Sequence, residues 1–139
     1  MPLKAYKNMN AYKLFVLDVG LLGAMSELPA ESILEGNDIF VEFKGALTEQ
    51  YVLQQLISDT PYTPYYYGNE KATFEQDFLI QKAKSIVPIE VKAEQNIRSH
   101  SLKTYCEKFQ PEEAVRFSTL KYKEQEWMVN IPLYAVCNL

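Results

Sequence analysis

Two stretches of β periodicity, separated by a short polar turn, constrain this chain more than any other feature. From Phe74 to Ile80 the side chains alternate, with Phe74, Gln76, Phe78 and Ile80 on one side and Glu75, Asp77 and Leu79 on the other. Ile86 to Ala93 alternates in the same way: Val87, Ile89, Val91 and Ala93 make an apolar face, and Ile86, Pro88, Glu90 and Lys92 share the opposite one. The polar run Gln81-Lys82-Ala83-Lys84-Ser85 fits the turn between them. With Ala83-Lys84 as the loop, position i faces position 167 minus i, which sets Asp77 opposite Glu90 on one face.

The remaining elements arrange themselves around this hairpin. Lys44 to Asp59 reads as a helix whose apolar stripe holds Val52, Leu56, Leu53, Ala46 and Ile57, with Thr48, Gln54, Gln55 and Ser58 elsewhere. Glu49 falls inside that stripe, where a solvated carboxylate does not belong. Tyr65-Tyr66-Tyr67, stopped by Gly68-Asn69, is a short aromatic strand. Leu102, Tyr105, Cys106 and Phe109 recur at helical spacing until Pro111 ends the run. Ala114 to Thr119 and Glu126 to Ile131 read as two further strands, joined by the polar turn Lys121-Tyr122-Lys123-Glu124. Ahead of these lies a lead segment, residues 1–38, with a helix expected over Ala11 to Met25 and a loop from Pro29 to Asp38. The main body is then residues 39–139, in the order helix, three strands, helix, two strands.

At 139 residues the chain supports one core, and 47% apolar with 23% charged residues matches ordinary globular composition. No apolar stretch approaches the roughly 20 residues that span a bilayer, and no signal-peptide core follows Met1, so a cytoplasmic protein without membrane partners is the simplest expectation. Cys106 and Cys137 are far apart and read as small buried hydrophobes rather than a disulfide or zinc site. A net charge of −4 argues against a broad basic nucleic-acid surface, so any DNA affinity draws on another domain or subunit.

Glu49, Asp77, Glu90 and Lys92 together suggest chemistry. Hard divalent ions take oxygen ligands and keep several waters, which suits Glu49, Asp77 and Glu90 as ligands to Mg2+, with Mn2+ as substitute. The carbonyl of Val91 adds a further oxygen, and Glu42 is the alternative third acid. An ion so held polarises a phosphodiester, while Lys92 orients water or offsets charge on the phosphate. Asp77, Glu90 and Lys92 are therefore the candidate catalytic residues. The bland readings are a surface ion pair for Glu90 and Lys92, a helix rolled to put Glu49 at its stripe's edge, edge-strand packing for Tyr62 and Tyr65 to Tyr67, and solvated lysines at Lys103, Lys108, Lys121 and Lys123. Arg98 or Lys103 beside Lys92 offers contacts to a phosphate backbone. His100 reads as an exposed residue near a helix start.

This arrangement resembles the PD-(D/E)XK nuclease superfamily, with Asp77 matching its aspartate, Glu90-Val91-Lys92 its (D/E)XK element and Glu49 the acid of its first core helix. The resemblance implies a restriction-endonuclease-like α/β fold, a three-layer core of helix, three strands, helix and strand. Gln76 replaces the proline of the superfamily's name. A closer likeness runs through Lys13 to Leu22, Lys44 to Val52, Glu75 to Phe78 and Pro88 to Lys92, which resemble the uncharacterised C-terminal domain of a large prokaryotic family of AAA-type P-loop ATPases. That likeness implies an ATPase module in cis or in trans. This chain carries no GxxxxGK[ST] loop and hence no ATP site of its own. The expected function is metal-dependent phosphodiester hydrolysis on DNA; the alternative is a non-catalytic module that binds protein or nucleic acid for the ATPase.

Overall fold

The hairpin forms in the expected register. In the computed structural model, which describes residues 2–29, 31, 38–68, 74–93 and 98–139 and residues 38–42 by backbone alone, strand β2 (Glu75–Lys82) pairs antiparallel with β3 (Ser85–Lys92). Phe78 faces Ile89, Ile80 faces Val87 and Lys82 faces Ser85, so each pair sums to 167. Ala83 turns the chain at a φ of 50°. A tight hairpin asks for that left-handed conformation, which a side chain holds at a cost of about 1 kcal/mol.

Among the described residues six strands make one sheet in the order β1-β2-β3-β4-β6-β5. β1 (Tyr65–Gly68) runs antiparallel on the outer edge of β2, with a bulge between Tyr65 and Tyr67. β4 (Val115–Ser118) lies parallel to β3, and β6 (Val129–Pro132) parallel to β4. Parallel neighbours need a crossover, and helix α3 (His100–Phe109) provides the one from β3 to β4. The last strand was expected from Glu126; it starts instead at Val129, and the polar turn before it contains the two-residue edge strand β5 (Lys123–Glu124).

Helices cover both faces. On one, Val52 and Leu56 of α2 (Asp38–Asp59) pack on Phe78, Ile80, Val87, Ile89, Val115 and Phe117, all buried. The opposite face takes α3: Tyr105 sits with Leu79 and Ile86, and Leu102 with Ala114 and Met128. The fold is thus mixed α/β. Phe74 precedes β2 and joins Tyr67 and Tyr105 on the α3 side rather than Phe78 on the α2 side. Tyr65 and Tyr67 are packing residues of that cluster.

Several expectations need correction. The stripe on α2 is narrower than its periodicity suggests, because Ala46 is exposed and Ile57 is 63% exposed. The helix also begins at Asp38, inside the expected loop, and residues 30 and 32–37 of that loop lie outside the described residues. Cys137 is exposed, on a 3-10 segment (Leu133–Asn138) that instead buries Val136 in the core, and Cys106 is half-buried.

The helix expected over Ala11 to Met25 shrinks to α1 (Val19–Met25), started by Asp18, whose Oδ1 accepts from the Leu21 amide at 2.7 Å. Upstream the chain is extended because α2 supplies hydrogen bonds in place of a helix's own. The buried Gln50 side chain accepts from the Val16 amide at 3.1 Å and donates to the Val16 carbonyl at 2.9 Å. Gln54 accepts from the Val19 amide at 3.0 Å. Phe15 then packs on Phe78, with ring centroids 6.0 Å apart. This pinning carries the lead segment across the end of the hairpin, beside Glu49 and Asp77. No helix among the described residues is long and apolar enough to cross a membrane.

Candidate active site

Asp77 stands where the β2 and β3 ladder ends. Its Oδ2 accepts from the Val91 amide at 2.7 Å, so a side chain completes the pairing that β2's main chain would otherwise make. Val91, expected to lend its carbonyl to a metal ion, also touches the site with its N–H, which holds the carboxylate against β3. Burial lifts the Asp77 carboxyl from 3.8 to about 6. The Val91 hydrogen bond opposes that rise, Glu49 adds to it, Lys13 opposes it and Glu90 adds to it. These couplings bring Asp77, Glu49 and Glu90 into one electrostatic group.

Glu90 is 4% exposed, and its Oε1 pairs with Lys92 Nζ at 3.1 Å. Its Oε2 is buried with no hydrogen-bond partner among the described residues. A buried carboxylate oxygen left unpaired costs a few kcal/mol, so among the described residues this acceptor is left unsatisfied. The Glu90 and Lys92 pair is therefore more than a solvated surface bridge, since its acid is fully buried.

Glu49 is half-buried and bonded to Lys13, Nζ to Oε1, at 2.9 Å. Burial alone would lower the Lys13 ammonium; the Glu49 hydrogen bond, with the charges of Glu49, Asp77 and Glu75, outweighs it and raises the pKa. Lys13 was not foreseen as a site residue. The one sign in sequence was its place at the head of the Lys13 to Leu22 segment. The side chain of Glu42, the alternative third acid, lies outside the described residues. Among the described residues no three His, Cys, Asp or Glu side chains are grouped to hold a metal ion as they stand. His100 is exposed at the start of α3 and Arg98 is exposed nearby.

From Glu90 a polar row crosses the sheet at right angles to the strands. Glu90 neighbours Arg116 on β4, Arg116 neighbours Asn130 on β6, and Asn130 neighbours Lys123 on β5. Asp77 lies beyond the last β2 and β3 pair, Phe78 and Ile89, and reaches the amide of Val91, the residue after Glu90. Arg116 is buried, donating from Nε to Asn130 Oδ1 at 2.9 Å and from Nη1 to Ser99 Oγ at 3.1 Å. Burial lowers the Arg116 pKa and the charge of Glu90 raises it. The signal for Arg116 was present in sequence, as a cation inside the apolar strand Ala114 to Phe117.

A family model described as a domain of unknown function, DUF4143, matches residues 44–135. The chain belongs to the DUF4143 family. No curated protein and no solved structure matches it. The DUF4143 match takes in Glu49, Asp77, Glu90, Lys92, Arg116 and Asn130, and leaves Lys13 outside. The acids and the row thus belong to the family region, whereas the ammonium that pairs with Glu49 comes from the lead segment.

Proposed function

We propose that this DUF4143 domain is a metal-dependent phosphodiesterase acting on DNA, built on a restriction-endonuclease-like core and working with a P-loop ATPase module in cis or in trans. The order helix, three strands, helix, strand resembles that core, with Asp77 and Glu90-Val91-Lys92 in the corresponding places. The observation that supports the reading is Oε2 of Glu90, buried and without a hydrogen-bond partner among the described residues, on a carboxylate that pairs with Lys92 and acts on Asp77. Asp77 and Glu90 fit Mg2+ or Mn2+, which accept few protein oxygens and retain waters. Glu49 is the proposed third ligand, a role that requires it to release Lys13 and move toward the other two acids.

A divalent ion bound there supplies Lewis-acid polarisation of the phosphodiester and a more acidic water. The chain's own residues do the rest. Val91 fixes the Asp77 carboxylate, which is ionised above about pH 6. Lys92, held by Glu90, presents its ammonium to charge developing on the phosphate. A second reading is a non-catalytic binding module, favoured by the Lys13 ammonium standing among the acids where a metal ion would sit.

Titration of Mg2+ and Mn2+ into the metal-stripped full chain by calorimetry, followed by cleavage of single- and double-stranded DNA, separates the two. Glu90→Gln should weaken metal binding at least about 10-fold. Lys92→Ala should keep metal binding and lose cleavage by about 100-fold or more. Lys13→Ala should tighten metal binding by freeing Glu49. An absence of both metal binding and cleavage would leave only the binding module.

A further inference from the structure

Beyond the carboxylates, the basic half of the polar row opens into a cavity of about 600 Å³ between the start of α3 and the β4, β5 and β6 edge of the sheet. Among the described residues its lining includes three cations, Arg116, Lys121 and Lys123, and no carboxylate, although Glu90 acts on Arg116 from behind and Glu124 accepts from the Tyr122 hydroxyl at its rim. In a chain of net charge −4 that concentration of positive charge is the exception. Exposed lysines by themselves would be unremarkable solvated groups; here Lys121 and Lys123 share the cavity with a buried guanidinium. Asn130 and Ser99 hold that guanidinium in fixed orientation from two sides. Preorganised, dehydrated guanidinium is suited to phosphate.

Two further observations point the same way. Ser99 is the N-cap of α3, a ten-residue helix with no acidic residue in its first turn, so the positive end of the helix faces the same space. Trp127 and Tyr122 also line the cavity and are 36% and 58% exposed, so their ring faces are open to a ligand, with the Tyr122 hydroxyl turned to Glu124 at 2.6 Å. Aromatic faces beside cations suit a base attached to a phosphate.

We infer that the cavity over Arg116 binds a nucleotide unit, its phosphate on Arg116, Lys121 and Lys123 and its base against Trp127 and Tyr122. The unit is either a free mononucleotide or the phosphorylated end of a strand. This site needs neither a metal ion nor the cleavage proposed above.

Trp127 is the chain's single tryptophan, so its emission reports directly on this cavity. The full chain is titrated in EDTA, which removes metal ions from the carboxylates, with dAMP, adenosine, and a 5′-phosphorylated trinucleotide beside its unphosphorylated form. The phosphorylated probes should change the emission saturably with a Kd at or below about 1 mM, and the unphosphorylated ones should bind at least about 10-fold more weakly. Lys121→Ala with Lys123→Ala, both exposed positions, should weaken dAMP binding at least about 10-fold without altering the melting temperature. Tighter binding of dAMP than of the phosphorylated trinucleotide identifies a free nucleotide, and the reverse a strand end. The proposal fails if no phosphorylated probe saturates, if adenosine binds as well as dAMP, or if the double lysine variant binds like the parent.

Discussion

Asp77→Asn should make the metal-free protein more stable at about pH 7.5, by up to about 3 kcal/mol, and leave it unchanged near pH 3. The folded carboxyl titrates at about 6 against 3.8 ordinarily, chiefly because it is buried. Between those values the folded state holds a proton that the unfolded state has released. Wild-type stability therefore falls as pH rises through that window, and the penalty is complete above about pH 6. Asparagine stays neutral throughout, and its Oδ1 can still accept from the Val91 amide. Urea denaturation at a series of pH values in EDTA measures the difference. Equal stability of the two proteins at pH 7.5 would mean that Asp77 is solvated and not held among acids. A carboxylate kept ionised at the expense of stability is what a functional position looks like, and a bound divalent ion would reverse the sign of the effect.

Asn130→Ala should cost about 3–5 kcal/mol, enough to leave a domain of this size marginal. Asn130 is 1% exposed, and its side chain joins four groups. Oδ1 accepts from Arg116 Nε at 2.9 Å and from Ser118 Oγ at 2.7 Å, while Nδ2 donates to the carbonyls of Lys121 at 2.9 Å and Leu120 at 3.4 Å. Alanine strips the guanidinium of one acceptor and unties the loop that carries Lys121. Both losses fall in a low-dielectric interior where unpaired groups are expensive. Thermal unfolding checks the prediction, and Phe117→Ala gives a scale for the loss from a purely apolar site, about 3–5 kcal/mol. A change below about 1 kcal/mol at Asn130 would mean that water replaces the amide freely.

The hairpin was legible because two independent signals coincide there. Alternation sets the faces, and the polar Ala83-Lys84 turn sets the register, which the pairs from Phe78 and Ile89 to Lys82 and Ser85 follow. Glu49 was legible as an acid off its expected face. The extended path of Leu14 to Leu17 was hidden, since an apolar run looks the same whether it helps form a helix or is held by glutamines 34 residues away. Leu14 and Leu17 point outward, 86% and 84% exposed, against their hydrophobicity. Lys13 was invisible for the same reason, as its partner lies 36 residues on. Strand β5 escaped notice because two residues give no periodicity to read. Asn130 read as one polar residue in a strand, and only the sheet order reveals that Arg116 and Ser118 converge on it.

The row from Glu90 to Lys123 spans four strands, or about 14 Å at the usual 4.8 Å spacing. Its acid, Glu90, sits at one end and its cations, Arg116 and Lys123, follow toward the other, so the sheet face has a built-in electric axis lying in the plane and perpendicular to the strands. A linear polyanion laid along that axis meets repulsion at one end and attraction at the other, and turning it through 180° interchanges which of its termini meets which. Because the two directions of a nucleic-acid strand are chemically different, such an axis would, under the proposed function, give the domain a physical means of telling them apart.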